Sequence, residues 1–181
     1  MNRVIIALSG KLNSGKTTVA DALVVHHGFV KKSFAENLRK ICGILGGYDH
    51  NRSHTTEEKA IFVPGWNMTR GEFLQYIGTD VIRCAYEDAW ITTLVTDIKN
   101  LDQNIVIDDM RFPNEYEAIK QMGGLCVRLI GNHMDIRANT TRDIHHTSET
   151  ALDHIPLDEY DFHFKDEPVD DIVDVLRNSW I

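Results

Sequence analysis

The chain has 181 residues, 43% of them hydrophobic and 25% charged, a balance that fits one globular domain and excludes a disordered, collagenous or disulfide-scaffold protein. Its 19 Lys and Arg against 27 Asp and Glu leave a net charge of −8. That argues against a broad duplex-DNA surface, which works by neutralising many phosphates, but not against a small pocket lined by a few arginines. No apolar run approaches the ~20 residues of a membrane helix, and the N-terminal one is too short for a signal peptide, so a cytoplasmic protein is expected.

Val4 to Leu8 is a short apolar run ending in Ser9-Gly10, the pattern of a buried parallel strand. From Lys16 the period changes to that of a helix, with Val19, Ala20, Leu23 and Val24 on one face, stopping near Gly28. Phe29 to Phe34 reads as a second strand, and a helix from Ala35 carries Leu38, Ile41, Cys42 and Leu45 until Gly46-Gly47 ends it. Residues 48 to 68 are polar and contain Pro64-Gly65; a loop or short helices are expected there. Helical spacing returns from Thr69 to about Leu101. Asn104 to Asp108 is a third strand, followed by a helix from about Asn114 to Met122, a fourth strand from Leu125 to Ile130, and a polar loop from Asn132 to His146. Asp161 to Phe164 is a short fifth strand, and Pro168 opens a last helix from Val169 to Leu176. Apolar strands alternating with helices predict an α/β fold of three layers: a parallel, roughly five-stranded sheet covered by helices on both faces.

The chemistry starts at Gly10-Lys11-Leu12-Asn13-Ser14-Gly15-Lys16-Thr17, a full GxxxxGK[ST] P-loop between a strand and a helix. Such a loop aims consecutive N–H groups at phosphates, and the helix adds its positive end. Gly10, Lys11, Asn13, Ser14, Gly15, Lys16, Thr17 and Thr18 are therefore the expected ATP-binding residues; Lys16 would reach the β- and γ-phosphates, and Thr17 would ligate Mg²⁺. At the end of the third strand, Asp108 is the first candidate for the acid that holds the metal and Asp109 the second, one being expected near the metal and the other structural. Arg39, Arg70, Arg83, Arg111, Arg128, Arg137 and Arg142 lie near strand ends, helix starts or the polar loop. Two or three of them meeting in one cleft would suit phosphoryl transfer, whose catalysis is mostly positioning and charge neutralisation. The widely spaced Cys42, Cys84 and Cys126 read as free thiols in a reducing compartment, and the nine scattered histidines lack zinc-ligand spacing.

Four further segments follow the P-loop in order: Ser33-Phe34-Ala35 with Leu38 and Arg39, then Thr69 to Asp80 (TRGEFLQYIGTD), Asp108 to Glu115 (DDMRFPNE) and His146-Thr147-Ser148-Glu149. In these the chain resembles the phage-type deoxynucleoside monophosphate kinases, within the adenylate-kinase-like branch of P-loop kinases, from about residue 4 to residue 165. The resemblance implies a single kinase domain over 1–181, with an acceptor-binding helical flap at about 36–100 and a short lid at about 132–146, and transfer of the γ-phosphate of ATP to a deoxynucleoside monophosphate for DNA synthesis. It implies that Arg39 and Arg111 hold the acceptor phosphate, that Arg70, Gln75, Asp80 and Glu149 line the acceptor side with Ser33 and Phe34 at its floor, and that Arg137 and Arg142 act with Lys16 and Asp108 in catalysis. Related kinases are often homodimers. His146 to Glu149 has a local reading as well, with Thr147 or Ser148 capping a short helix. The alternatives are a kinase of another small phosphorylated acceptor, such as phosphomevalonate, and a nucleotide-switched binding module; the chain has no NKxD guanine motif to favour the latter.

Overall fold

The computed structural model describes residues 3–52, 55–131 and 146–180. At the centre of the fold is β1 (Ile5–Ser9), buried at all five positions. Successive strand residues face opposite sides, and both sides of this strand are covered: Ile5 and Ala7 belong to one hydrophobic cluster, Ile6 and Leu8 to the other. The uninterrupted apolar run thus reflects two covered faces.

The first face is closed by α2 (Glu36–Gly46), α5 (Ala89–Ile98) and α6 (Pro113–Gln121), through Leu38 and Cys42, Trp90, Leu94 and Ile98, and Tyr116 and Ile119. The second is closed by α1 (Lys16–His27) and the later helix Val169–Arg177, through Val19, Leu23, Ile172 and Leu176. β2 (Val30–Lys32), the strand Ile105–Ile107, the strand Leu125–Ile130 and the strand Phe162–Lys165 complete the sheet. Its five strands are all parallel.

The chain numbering includes a separate two-stranded hairpin, β3 (Phe62–Val63) and β4 (Met68–Thr69), so the remaining sheet strands are β5, β6 and β7. The sheet order is β2-β5-β1-β6-β7. The hairpin revises the expected loop or short helices of 48–68, although a single turn of helix, α3 (Thr56–Lys59), does precede it. Two-residue strands are too short to show alternation in sequence. The reversal is made by Gly65 and Asn67, both at positive φ, and Trp66 packs on Phe73 at 4.5 Å. The helix after the hairpin is α4 (Arg70–Gln75), opened by a capping box between Thr69 and Glu72. It runs on into a π-helical segment, Tyr76–Arg83, where the sequence predicts ordinary helical spacing. Beyond residue 145, α7 (Thr147–Thr150) precedes β7, and α8 (Val169–Arg177) ends the fold. Among the described residues no helix is long and apolar enough to cross a membrane.

β1 pairs with β5 from Ile5↔Ile105 to Ala7↔Ile107, so the P-loop and Asp108 leave neighbouring strands at the same carboxyl edge, where open α/β sheets bind ligands. Gly10 makes the exit from β1 possible. Its φ is 149°, and a β-carbon there would lie 2.4 Å from Leu129 O and 2.4 Å from Ser14 Oγ. Gly10→Ala is expected to destabilise the fold by roughly 1–3 kcal/mol through backbone strain, with the clash against β6 added. Chemical denaturation would read the loss, and a variant as stable as the parent would contradict this packing.

Candidate active site

Gly15, at φ 86°, turns the loop into α1, and Asn13 also has positive φ. Within this turn the Lys16 ammonium donates to Gly10 O at 2.8 Å, Lys11 O at 2.6 Å and Ser14 Oγ at 3.2 Å. Burial and then the Arg111 guanidinium lower its pKa to about 7, against the opposing pull of Glu149 and Asp108. The fold has therefore brought two basic side chains, Lys16 and Arg111, to one place.

The two strand-end acids divide as their chain positions allow. Thr17 Oγ1 donates to Asp108 Oδ2 at 3.2 Å, which puts two hard oxygen donors side by side. Asp109 points to the other side and accepts from Ser33 Oγ at 2.5 Å, Phe34 N at 2.9 Å and Ala35 N at 3.0 Å. Both of its oxygens hold the turn after β2, so the structure brings Asp108, and not Asp109, to Thr17. Ser33 Oγ in turn accepts from Arg39 Nη2 at 3.1 Å.

A cavity of about 1210 Å³ joins these groups, more than the ~300–1,000 Å³ typical for one drug-sized ligand. Asn13 to Thr18 form part of its wall, and Ser33, Phe34, Arg39, Gln75, Asp108, Asp109 and Arg111 form another part. Lys11, expected at the phosphates, instead pairs with Asp153 and donates to Glu149 O at 2.9 Å. Three residues expected on the acceptor side do not line the cavity. The Arg70 guanidinium lies over the Tyr48 ring at 4.3 Å. Asp80 is on an exposed face, 3.6 Å from His146 Nε2. Glu149 accepts at 2.5 Å from Arg111, which does line the cavity. Arg137 and Arg142, and the expected lid except for His146, lie outside the described residues. The cap of α7 is His146, which accepts from Ser148 N at 3.2 Å, and not Thr147 or Ser148, because the imidazole stands one residue before the helix.

Sequence reasoning missed two features. Lys31 lines the cavity and reaches Asp108 Oδ2 at 2.9 Å. Arg83 and Glu115 form a buried ion pair at 2.5 Å, 9% and 2% exposed. Glu115 also accepts from Arg111 N at 2.8 Å and Phe112 N at 3.1 Å, while Arg83 stacks over Phe112 at 3.8 Å and donates to Asn114 Oδ1 at 3.0 Å. Burial pushes the Glu115 carboxyl up to about 7, with Arg83 and the two N–H donors opposing it. The pair thus ties the π-helical segment to the turn that carries Arg111. An acid two residues after Pro113, at a helix start, is the available sequence signal.

Comparison with known proteins decides the family. A protein of Acanthamoeba polyphaga mimivirus, provisionally named a deoxynucleotide monophosphate kinase, is 32% identical over 166 residues, 82% of this chain and 82% of the relative. The chain belongs to the deoxynucleotide monophosphate kinase family. It is accordingly a P-loop kinase, an enzyme of phosphoryl transfer. No family model matches the chain. Among solved structures, a Thermus thermophilus protein aligns at TM-score 0.58 and 12% identity over 100% of both chains. The shikimate kinase of Bacteroides thetaiotaomicron aligns at 0.56 and 13% over 97% of both. That of Aquifex aeolicus aligns at 0.52 and 16%, over 97% of this chain and 95% of its own. These likenesses show the fold alone.

Two measurements check the electrostatics of the kinase. A phosphate beside Lys16 favours its charged form. Burial and Arg111 lower the Lys16 pKa to about 7, so binding a nucleoside triphosphate at pH 8 should take up protons at Lys16, and this contribution should shrink as the pH is lowered to 6. Calorimetry in buffers of different ionisation enthalpy measures this, and uptake at pH 8 that persists in Lys16→Met would contradict the assignment. Separately, Arg83→Met leaves Glu115 buried without its partner. It should cost about 3–5 kcal/mol of stability in chemical denaturation; a loss under about 1 kcal/mol would show that the pair is not the anchor of the Arg111 turn.

Proposed function

We propose that this kinase transfers the γ-phosphate of ATP to a deoxynucleoside monophosphate, giving dNDP and ADP. The carrying observation is the meeting of Lys16 and Arg111 in one cavity with Ser33 and Arg39 on its wall. Basic groups gathered by a fold at such a place are held in their charged form by an anion, and a P-loop supplies its own cradle for the donor phosphates. Arg111 and Arg39 are then left for the acceptor phosphate, with Phe34 and Gln75 beside the nucleoside. The name of the mimivirus relative supports the deoxynucleotide as acceptor.

Mg²⁺ is the metal that this donor set fits. Among the described residues no group of three or more His, Cys, Asp or Glu side chains gathers as a metal site; the fit rests on the Thr17 hydroxyl and the Asp108 carboxylate, 3.2 Å apart. Such hard oxygens, with phosphate and water, suit an ion that keeps much of its hydration. Bound there, Mg²⁺ would neutralise charge on the β- and γ-phosphates. Thr17 and Asp108 would hold it, Lys16 would meet the donor phosphates, and Asp109 fixes the turn after β2 that carries Ser33 and Phe34. We assign Arg137 and Arg142 to the closing lid, the arrangement to one kinase domain with the flap at about 36–100, and the enzyme to the cytoplasm that supplies DNA synthesis.

An ADP-release assay against the common dNMPs and NMPs, run on the parent and on Arg39→Ala and Arg111→Ala, tests the reading. A charge-assisted contact to phosphate contributes roughly 1.5–3 kcal/mol, so each variant should raise the KM for dNMP by about ten- to a hundredfold with little change in the KM for ATP. Weakening of ATP alone by Arg111→Ala would overturn the acceptor assignment, and phosphorylation of phosphomevalonate in place of nucleotides would select the alternative acceptor.

A further inference from the structure

The carboxylate proposed for the metal already has a cation on it. Lys31 Nζ lies 2.9 Å from Asp108 Oδ2, the same oxygen that accepts from Thr17. The sheet register enforces this: Lys31 pairs with Val106 across β2 and β5, and Asp108, two residues further on, emerges from the same face. β2 is an edge strand of the sheet, where a lysine is an ordinary residue; what distinguishes Lys31 is the carboxylate its ammonium meets. It also has a second carboxylate within reach, for Lys31 Nζ is 3.0 Å from Asp21 Oδ1 on α1. Asp21 is the more exposed of the two acids, with 60% of its side chain accessible against 14% for Asp108. Lys31 thus sits between two carboxylates, one largely buried and one exposed.

We propose that Lys31 is a resident counter-cation of Asp108 which the divalent metal displaces, with Asp21 as the carboxylate that receives it, so that the Lys31–Asp21 pair tunes how tightly the metal–nucleotide complex is held. The inference rests on the reading of Asp108 as the acid of the metal site. Two cations on one carboxylate oxygen repel. The ammonium therefore either leaves Asp108 or weakens its hold on the metal, and both effects lower metal affinity relative to a site without Lys31. A bond to Asp21 that is already formed lets the ammonium withdraw without becoming unpaired, which reduces that cost. Lys31 acts through Asp108 and is a positioning residue.

The test is Mn²⁺ binding followed by the loss of its free EPR signal, with folded protein in excess over a non-hydrolysable ATP analogue so that the nucleotide stays bound. Unit charges a few ångströms apart at a half-exposed site correspond to about tenfold in affinity. Lys31→Met should tighten Mn²⁺ about tenfold, Lys31→Arg should stay near the parent value, and Asp21→Asn should weaken Mn²⁺ severalfold. In the double variant the Asp21→Asn effect should vanish, because it runs through Lys31. Asp108→Asn should weaken Mn²⁺ strongly. If Asp108→Asn weakens the metal while Lys31→Met weakens it or leaves it unchanged, the counter-cation role is wrong and the metal site stands. If Asp108→Asn has no effect, both fail. An undiminished Asp21→Asn effect in the double variant overturns the hand-over to Asp21.

Discussion

Parallel pairing of β1 with β5 brings two chemically different strand ends to one edge. Three register pairs, from Ile5↔Ile105 to Ala7↔Ile107, align the exit of the P-loop with the exit of Asp108. The pairing is held by apolar residues on both faces, Ile6 and Leu8 on one and Ile105 and Ile107 on the other. None of these residues has chemistry of its own. A slip of one residue would turn Asp108 away from Thr17 and exchange its place with that of Asp109, because side chains alternate along a strand.

On this frame the fold accumulates charge that it does not fully neutralise locally. Lys16 is buried next to Arg111, and Lys31 and Arg39 line the same cavity. The acids are distributed unequally: Asp109 is committed to the turn after β2, Glu115 to Arg83 and the Arg111 turn, Glu149 to Arg111, and Asp108 to Thr17 and Lys31. In a protein of net charge −8 this concentration of cations is local. It sets up a field that draws a polyphosphate into the cleft while the remaining surface repels polyanions of larger size.

Much of this was legible in the sequence because it follows from local rules. The central strands β1 and β5 were readable as apolar runs ending at glycine or acid, and the P-loop as spacing plus context. What escaped had no local signature. The hairpin at 62–69 is too short to alternate, and the π-helical segment has the same apolar face as an ordinary helix. Lys31 gains its meaning only from the β2–β5 register, and Arg83 only from Glu115, 32 residues away. Asp108 and Asp109 could be named as a pair but not told apart, since the direction of each depends on where the strand stops. Arg70 and Asp80 show the converse: their segment is family-like, yet one stacks on Tyr48 and the other faces solvent and His146.

The adjacency of Asp108 and Asp109 has a mechanical meaning. One residue is hydrogen-bonded to the loop proposed for the donor, and the next clamps the floor proposed for the acceptor through three donors from Ser33, Phe34 and Ala35. A single trans peptide, ~3.8 Å between Cα atoms, therefore spans the two half-sites. Peptide geometry is among the stiffest elements a protein has, so on the proposed reading the strand end would be a ruler between the two reactants. Evolution can alter the walls of this cleft by changing α4 or the segment after it, but an insertion between these two residues would change the length of the ruler itself.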